Sequence, residues 1–256
     1  MRIRFIGTGS GKTSLHRFHS SILFSSNNYN LLVDTGDGIS KALLSQNINL
    51  HQINGILITH LHPDHFSGLG VLIVQMKLIN RTNELDIYIH KSLAEVIKGY
   101  LYSSYLFSEK MDFEINYKVF NVDENIKVKD NFSFKARQNK HLDTYKKFDY
   151  QNKLSFSCVS LLLKSEVAEI FYTGDIGTEE DLYLFKEYKI DIMISEISHI
   201  DLNDLIRAYK SQAVGALYLT HISGEDETKL GKFYSFMNDG EKQKIISAYD
   251  GLIIDL

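Results

Sequence analysis

Thr59-His60-Leu61-His62-Pro63-Asp64-His65 gathers four strong metal-binding side chains within six positions, with the chain's only proline among them. The apolar run Gly55-Ile56-Leu57-Ile58 leads in and reads as a buried strand. Phe66-Ser67-Gly68-Leu69-Gly70-Val71-Leu72-Ile73-Val74 follows and reads as a helix start. The cluster therefore falls on a turn at the carboxyl end of a strand, where open α/β sheets carry their ligand sites. Imidazole and carboxylate groups are ligands for Zn²⁺, Mn²⁺ or Fe²⁺. Side chains alternate along an extended segment, so His60 and His62 point the same way and can hold one ion. Pro63 turns the chain, and Asp64 and His65 then face a second ion beside the first.

Working outward, Arg2 to Ile6 reads as a short strand running into Gly7-Thr8-Gly9-Ser10-Gly11-Lys12-Thr13. This invites a phosphate-loop reading, but G-x-x-x-x-G-K-[ST] would put its first glycine at Ile6. The segment after it, His19 to Phe24, looks like a strand rather than the required helix. A glycine-rich turn near the active site is the better reading. Tyr29 to Gly36 is a buried strand ending in Asp34 and a turn, and Ile39 to Leu44 is a helix. Leu85 to Ile89 is a strand, followed by a helix from about Ser92 whose Tyr100, Tyr102, Tyr105 and Phe107 read as core or rim. Phe113 to Lys135 alternates apolar and polar residues and reads as antiparallel strands closing one sheet.

Further strands are expected at Phe156–Lys164, Glu169–Asp175, Ile190–Glu196 and Ala216–His221. Helices are expected near Glu179–Tyr188 and at Leu202–Ser211, and a last strand in the tail from Lys244 to Leu256. A coarse repeat emerges. Leu32-Val33-Asp34-Thr35-Gly36 echoes Phe171-Tyr172-Thr173-Gly174-Asp175, and Ile56-Leu57-Ile58-Thr59-His60 echoes Leu217-Tyr218-Leu219-Thr220-His221. Two βα halves facing each other would gather these strand ends in one groove, which gives an α/β fold with a four-layer α/β/β/α sandwich. His141, Asp175 and His221 then sit at loop or strand ends. Asp175 can bridge two ions, leaving His141 for the first and His221 for the second.

With 256 residues, 44% hydrophobic and 23% charged, the chain has the composition of a soluble globular protein and reads as one domain over residues 1–256. Its single cysteine, Cys158, excludes an internal disulfide and suits a reducing, cytoplasmic setting. Met1 to Gly7 has no signal-peptide layout, and no apolar run approaches a membrane span. The net charge of −4 argues against a broad basic surface for nucleic acid. Two bound divalent ions would still reverse the sign locally for a phosphate substrate.

His60-x-His62-x-Asp64-His65, followed by His141, Asp175 and His221, resembles the dinuclear hydrolase pattern of the metallo-β-lactamase superfamily along nearly the whole chain. Within it, Gly7-Thr8-Gly9-Ser10, Arg17, Ser20-Ser21, Leu219-Thr220-His221-Ile222-Ser223 and Ala248-Tyr249-Asp250-Gly251 resemble the ribonuclease Z branch. There are departures. Only 34 positions separate His141 from Asp175, too few for the tRNA-gripping arm usual there. Ile89-His90 stands where Gly-Pro is usual. The branch's Gly-His-Ser/Thr element is missing, and Glu196-Ile197-Ser198-His199 occupies the stretch. The resemblance therefore points to the armless phosphodiesterases, some of which cleave cyclic nucleotides, and dimers common in that branch imply a homodimer.

The chemistry expected is attack on phosphorus by a metal-bridged hydroxide, with Zn²⁺ as the leading ion and Mn²⁺ or Fe²⁺ as alternatives. Asp64 belongs to the catalytic as well as the metal set. Asp34 would orient ligand histidines from behind. His199, positioned by Glu196, is the candidate proton donor to the leaving oxygen, with a packed or capping histidine as the competing role. Arg17, Lys146 and Lys147 are candidates for phosphate contact, or else solvated charges. The leading substrate is a small, cyclic or linear, nucleotide or a short RNA. The alternatives are a lactone or thioester on the same core, a tRNA 3′-processing endonuclease without the arm, and a sensing module that keeps the metal site.

Overall fold

The computed structural model describes all residues 1–256. The first sheet holds β1 (Arg2–Gly7), β2 (Ser21–Ser26), β3 (Tyr29–Val33), β4 (Gly55–Ile58), β5 (Leu85–His90) and β6 (Ile115–Phe120), with β14 (Ile253–Asp255) on its outer edge beside β1. The second sheet runs β13-β12-β11-β10-β9-β8-β7, formed by β7 (Asn125–Lys129), β8 (Phe132–Gln138), β9 (Val159–Lys164), β10 (Glu169–Tyr172), β11 (Ile192–Glu196), β12 (Ala216–Thr220) and β13 (Ile245–Ser247). The helices are α1 (Ile39–Ser45), α2 (Pro63–Phe66), α3 (Leu69–Leu78), α4 (Ala94–Ser103), α5 (Leu202–Ser211), α6 (Gly224–Ser235) and α7 (Asp239–Lys242).

The apolar strand runs are explained by burial on both faces. In β3, Leu31 and Val33 enter the core between the sheets, while Leu32 faces the helices. In β9, Val159, Leu161 and Leu163 face inward and Leu162 outward. In β10, Ile170 and Tyr172 face inward and Phe171 outward. A period of two thus splits each run between layers. On α3, Leu69, Leu72, Ile73 and Met76 recur at helical spacing and cover the first sheet. Leu205, Ala208 and Tyr209 of α5 and Leu230 of α6 cover the second. The result is the expected helix/sheet/sheet/helix sandwich.

Three local expectations need correction. Residues 113–135 do not close one sheet. β6 lies parallel to β5 in the first sheet, and the chain then turns at Asn121–Glu124 to start the antiparallel pair β7–β8 in the second. Only a five-residue 3₁₀ turn, Glu179–Tyr183, replaces the helix expected near 179–188. Asp181 and Thr178 form a capping box that starts the turn, but the carbonyls of Leu182 and Leu184 then accept from the side chains of Gln212 and Arg137 instead of from a following turn of helix. The tail contributes two strands rather than one, β13 to the second sheet and β14 to the first. No helix is long and apolar enough to cross a membrane.

Candidate metal centre

Both sheets present their strand ends to one groove. His60 and His62 follow β4, and Asp64 and His65 lie on α2, opened by Pro63. His141 follows β8, Asp175 follows β10 and His221 follows β12. The seven residues form two groups that share one carboxylate: His60, His62, His141 and Asp175, and Asp64, His65, Asp175 and His221. Within each group the candidate ligand atoms lie within 4.8 Å of one another. The structure thus brings together all seven residues singled out from the sequence.

Two lines of geometry test whether these residues fit a cation. Ligands 2.0–2.2 Å from a tetrahedral ion stand about 3.3 Å apart. Here His62 Nδ1 and His141 Nε2 are 3.1 Å apart, and His141 Nε2 is 3.7 Å from Asp175 Oδ2. In the second group His65 Nε2 is 3.1 Å from Asp175 Oδ1, and His221 Nε2 is 3.1 Å from Asp64 Oδ2 and 3.4 Å from Asp175 Oδ2. The second line is polar accounting. His60 Nε2 is buried with no hydrogen-bond partner, and the buried His65 Nε2 and Asp175 Oδ1 have none beyond their own 3.1 Å contact. Such atoms ordinarily cost about 1–3 kcal/mol each, which divalent cations would offset. The residues fit the ions.

The surroundings hold these groups rigidly. Asp34 is fully buried, and its backbone lies in the left-handed region (φ 64°), where aspartate is tolerated better than most residues. Its Oδ1 accepts from Thr59 N–H at 2.8 Å, and its Oδ2 faces His65 Nδ1 at 2.8 Å. Thr59 Oγ1, 2.9 Å from both carboxylate oxygens, is also 3.1 Å from His60 Nδ1. With the Thr59 proton given to Asp34, the hydroxyl oxygen accepts from His60. Nε2 of both histidines is then turned toward the cluster. Asn139 ties the other side by accepting from His141 N–H at 3.1 Å and donating to Asp175 O at 2.9 Å. His221 is also left-handed (φ 56°), and its carbonyl accepts from Ser198 Oγ at 2.7 Å. Ser198 in turn approaches the buried Asp226 at 3.1 Å, which caps α6 through Ser223.

Electrostatics follow burial. Burial holds His60 well below the ordinary histidine value, and also lowers His62 and brings His141 to about 4. For His65 burial works in the same direction, but the carboxylates of Asp175 and Asp34 outweigh it and raise it well above. Asp64 falls to about 2 because the His221 contact and the charge of His65 overcome desolvation. His199 is raised to about 9, chiefly by its hydrogen bond to Glu196. Its Nδ1 is 3.1 Å from Glu196 Oε1 and 3.9 Å from Asp175 Oδ2, and its side chain is 41% exposed. Glu196 is pinned by N–H donation from Ile176, Ser198 and His199.

Above the cluster lies a cavity of about 350 Å³ whose walls include Lys12, Tyr145, His199, Glu225 and Lys229. Lys12 is the residue that the discarded phosphate-loop reading passed over. Tyr145 and Lys229 carry no local sequence signal that would set them apart. None of the three cations expected at a phosphate lines the cavity. Arg17 is drawn inward to Thr8 Oγ1 and Ala248 O, Lys146 pairs with Asp143, and Lys147 lies over the Phe148 ring. A second depression of about 470 Å³, rich in asparagine and including Asn30, Asn54 and Asn83, sits at the opposite ends of the strands, away from every ligand group.

Comparison with known proteins points to the same fold. A protein from Bacillus phage BSP38 described as Anti-Pycsar protein Apyc1 is 36% identical over 94 residues, which is 37% of this chain and 37% of its own length. A Methanococcus aeolicus protein described as ribonuclease Z is 28% identical over 166 residues, 65% of this chain and 47% of its own. These matches thus span less than half the length of either relative. The metallo-β-lactamase-fold protein YhfI from Bacillus subtilis superposes with a TM-score of 0.75 at 19% identity, covering 99% of this chain and 98% of that one. Residues 1–243 match the family described as Anti-Pycsar protein Apyc1, and the chain belongs to that family.

Proposed function

We propose that residues 1–256 form one metallo-β-lactamase-fold domain that holds two divalent ions, Zn²⁺ first among them, and hydrolyses a phosphodiester of a small, cyclic nucleotide. The observation that carries this reading is the sharing of Asp175 between the two ligand groups. The cyclic nucleotide-degrading character of the family supports phosphorus over carbon. A cavity of about 350 Å³ is near the lower end of small-molecule sites and suits one nucleotide better than an RNA.

The ions, when bound, supply an activated water and offset the charge that builds on phosphorus oxygens. The chain's own groups do the rest. Asp34 and Thr59 keep Nε2 of His65 and His60 turned toward the cluster. Water oxygen bonds to phosphorus and releases a proton to solvent as the ester P–O bond breaks. His199, its Nδ1 turned to Glu196, gives the Nε2 proton to the leaving oxygen. Lys12 and Lys229, paired with Glu225 at 2.7 Å and with Asp226 at 3.0 Å, edge the entrance. The similarity to ribonuclease Z supports a second reading, cleavage of a tRNA precursor.

A homodimer belongs to the proposal. Leu44, Val71 and Leu78 leave apolar side chains exposed on the α1–α3 side. A reducing, cytoplasmic setting also belongs to it, and suits the single, buried Cys158. The test is turnover of 3′,5′-cyclic AMP and cyclic UMP by Zn²⁺- or Mn²⁺-loaded protein against a chelated control, with a lactone, a thioester and a tRNA precursor beside them. Metal-dependent opening of the cyclic ester is the expected result. Turnover of only the carbon esters or only the tRNA, by protein holding both ions, overturns it.

A further inference from the structure

Tyr145 is the one hydrophobic side chain among the 14 residues that line the cavity over the cluster. It stands four positions after His141, on a 3₁₀ turn (Asp143–Phe148) whose start is anchored by the buried Leu142. The Tyr145 N–H donates to Leu142 O at 3.1 Å. Its ring meets the His62 ring edge-on, with 5.4 Å between centroids and 69° between planes. Tyr145 is 47% exposed, so much of the ring faces open space. The remaining lining residues are charged, hydroxyl-bearing or imidazole groups and glycine. With ions on the His and Asp cluster, an aromatic face beside it complements a ligand with an anionic end and a flat apolar end. Stacking on such a face tolerates any base, because every base has a π surface. The neighbouring Phe148 and Tyr150 do not line the cavity, so the turn offers one stacking place and no track for a polymer.

We propose that Tyr145 is a specificity-determining residue that stacks on the base of a single nucleotide whose phosphate lies over the His and Asp cluster. The proposal rests on the phosphodiesterase reading for the orientation of the substrate. The competing role, a buttress for His62 alone, makes a different prediction, because it acts on every ligand of the centre alike.

The test uses full-length, metal-loaded protein with metal content measured for each variant. Calorimetry compares AMP, UMP and inorganic phosphate on wild type, Tyr145→Leu and Tyr145→Phe. Wild type should prefer the nucleotides over phosphate. Tyr145→Leu should reduce that preference by roughly 5- to 100-fold, and Tyr145→Phe, which keeps the ring, should retain it. In kinetics the loss should appear in KM for cyclic AMP relative to trimethylene phosphate, a cyclic diester with no base. An unchanged preference in Tyr145→Leu overturns the proposal. So does a parallel loss of AMP and phosphate binding, or a wild type with no preference for AMP. If nucleotide binding behaves as stated but no phosphodiester is hydrolysed, the stacking role stands and the hydrolase reading falls.

Discussion

Asp34→Asn separates hydrogen-bond direction from shape. The replacement is isosteric, and asparagine tolerates the left-handed backbone at this position (φ 64°), so the chain path is spared. The wild-type carboxylate faces three donors: Thr59 N–H, Thr59 O–H and His65 Nδ1–H. A carboxamide offers one oxygen and one NH₂. If the oxygen stays with Thr59, the NH₂ confronts His65 Nδ1. The imidazole must then leave a buried donor unpaired or shed the Nδ1 proton and keep one on Nε2, the atom turned toward the cluster. If the amide flips, the NH₂ confronts the Thr59 N–H instead. An unpaired buried donor costs about 1–3 kcal/mol in the metal-free protein. Loss of such support for a ligand histidine weakens metal binding roughly 10- to 100-fold. At fixed excess metal that removes about 1.4–2.8 kcal/mol more of the stabilisation. The assay is urea unfolding of wild type and variant, each with chelator and with saturating Zn²⁺, beside a competition titration of affinity. A metal-dependent increment equal to that of wild type would refute the reasoning, whatever happens to the metal-free protein.

His199→Ala should lower turnover of a cyclic nucleotide by roughly 10²- to 10⁴-fold with metal content unchanged. Equal loss of metal would make His199 a ligand instead. Gly36→Ala places a methyl group 2.1 Å from the Asp64 carbonyl oxygen and 2.6 Å from His19 Cβ. The expected cost is about 1–3 kcal/mol in urea unfolding, with reduced metal content because the turn bearing Asp64 must move. Gly99→Ala on α4 meets nothing within 4 Å and should gain about 0.5–1 kcal/mol in the same assay. His90 is held below its ordinary value by burial and by Lys91, and its Nδ1 is 2.9 Å from Ser157 Oγ. A histidine with a depressed folded value contributes fully above its unfolded value and loses that contribution as pH falls toward the folded one. The stability advantage of wild type over His90→Asn should therefore shrink as pH drops below about 6.5, and an advantage that grows would refute this.

The candidate ligands were legible because their chemistry is local. His60, His62, Asp64 and His65 fall in one turn, and His141, Asp175 and His221 each follow an apolar strand. The layers were legible because strands such as β3 and β9 are apolar on both faces. What escaped depends on distant pairing. The placing of β6 and β7 in different sheets is decided by partners, β5 for one and β8 for the other, and alternation alone does not name the partner. The shortened turn at Glu179–Tyr183 ends where the Leu182 and Leu184 carbonyls accept from Gln212 and Arg137, partners 30 and 47 positions away that local sequence does not name. Arg17 looked free because two of its three partners, Ala248 and Glu227, lie more than 200 positions away. Tyr145 lies in a polar loop with two other aromatic residues, and only the fold selects it over Phe148 and Tyr150.

Each ligand group draws on both sheets. His60 and His62 belong to the end of the first, His141 and Asp175 to the second, and the other group divides the same way. An ion in either place would act as a cross-link between the two halves of the chain, closing a loop of 115 positions from His60 to Asp175. For a covalent bridge, chain-entropy reasoning gives about 4–5 kcal/mol for a loop of that size. A protein with one cysteine thus carries the means to staple its halves without a disulfide. Neither half assembles a complete candidate group alone, so full coordination of an ion would require the sheets to have docked. Hydrogen exchange on addition of metal should therefore slow in both sheets together.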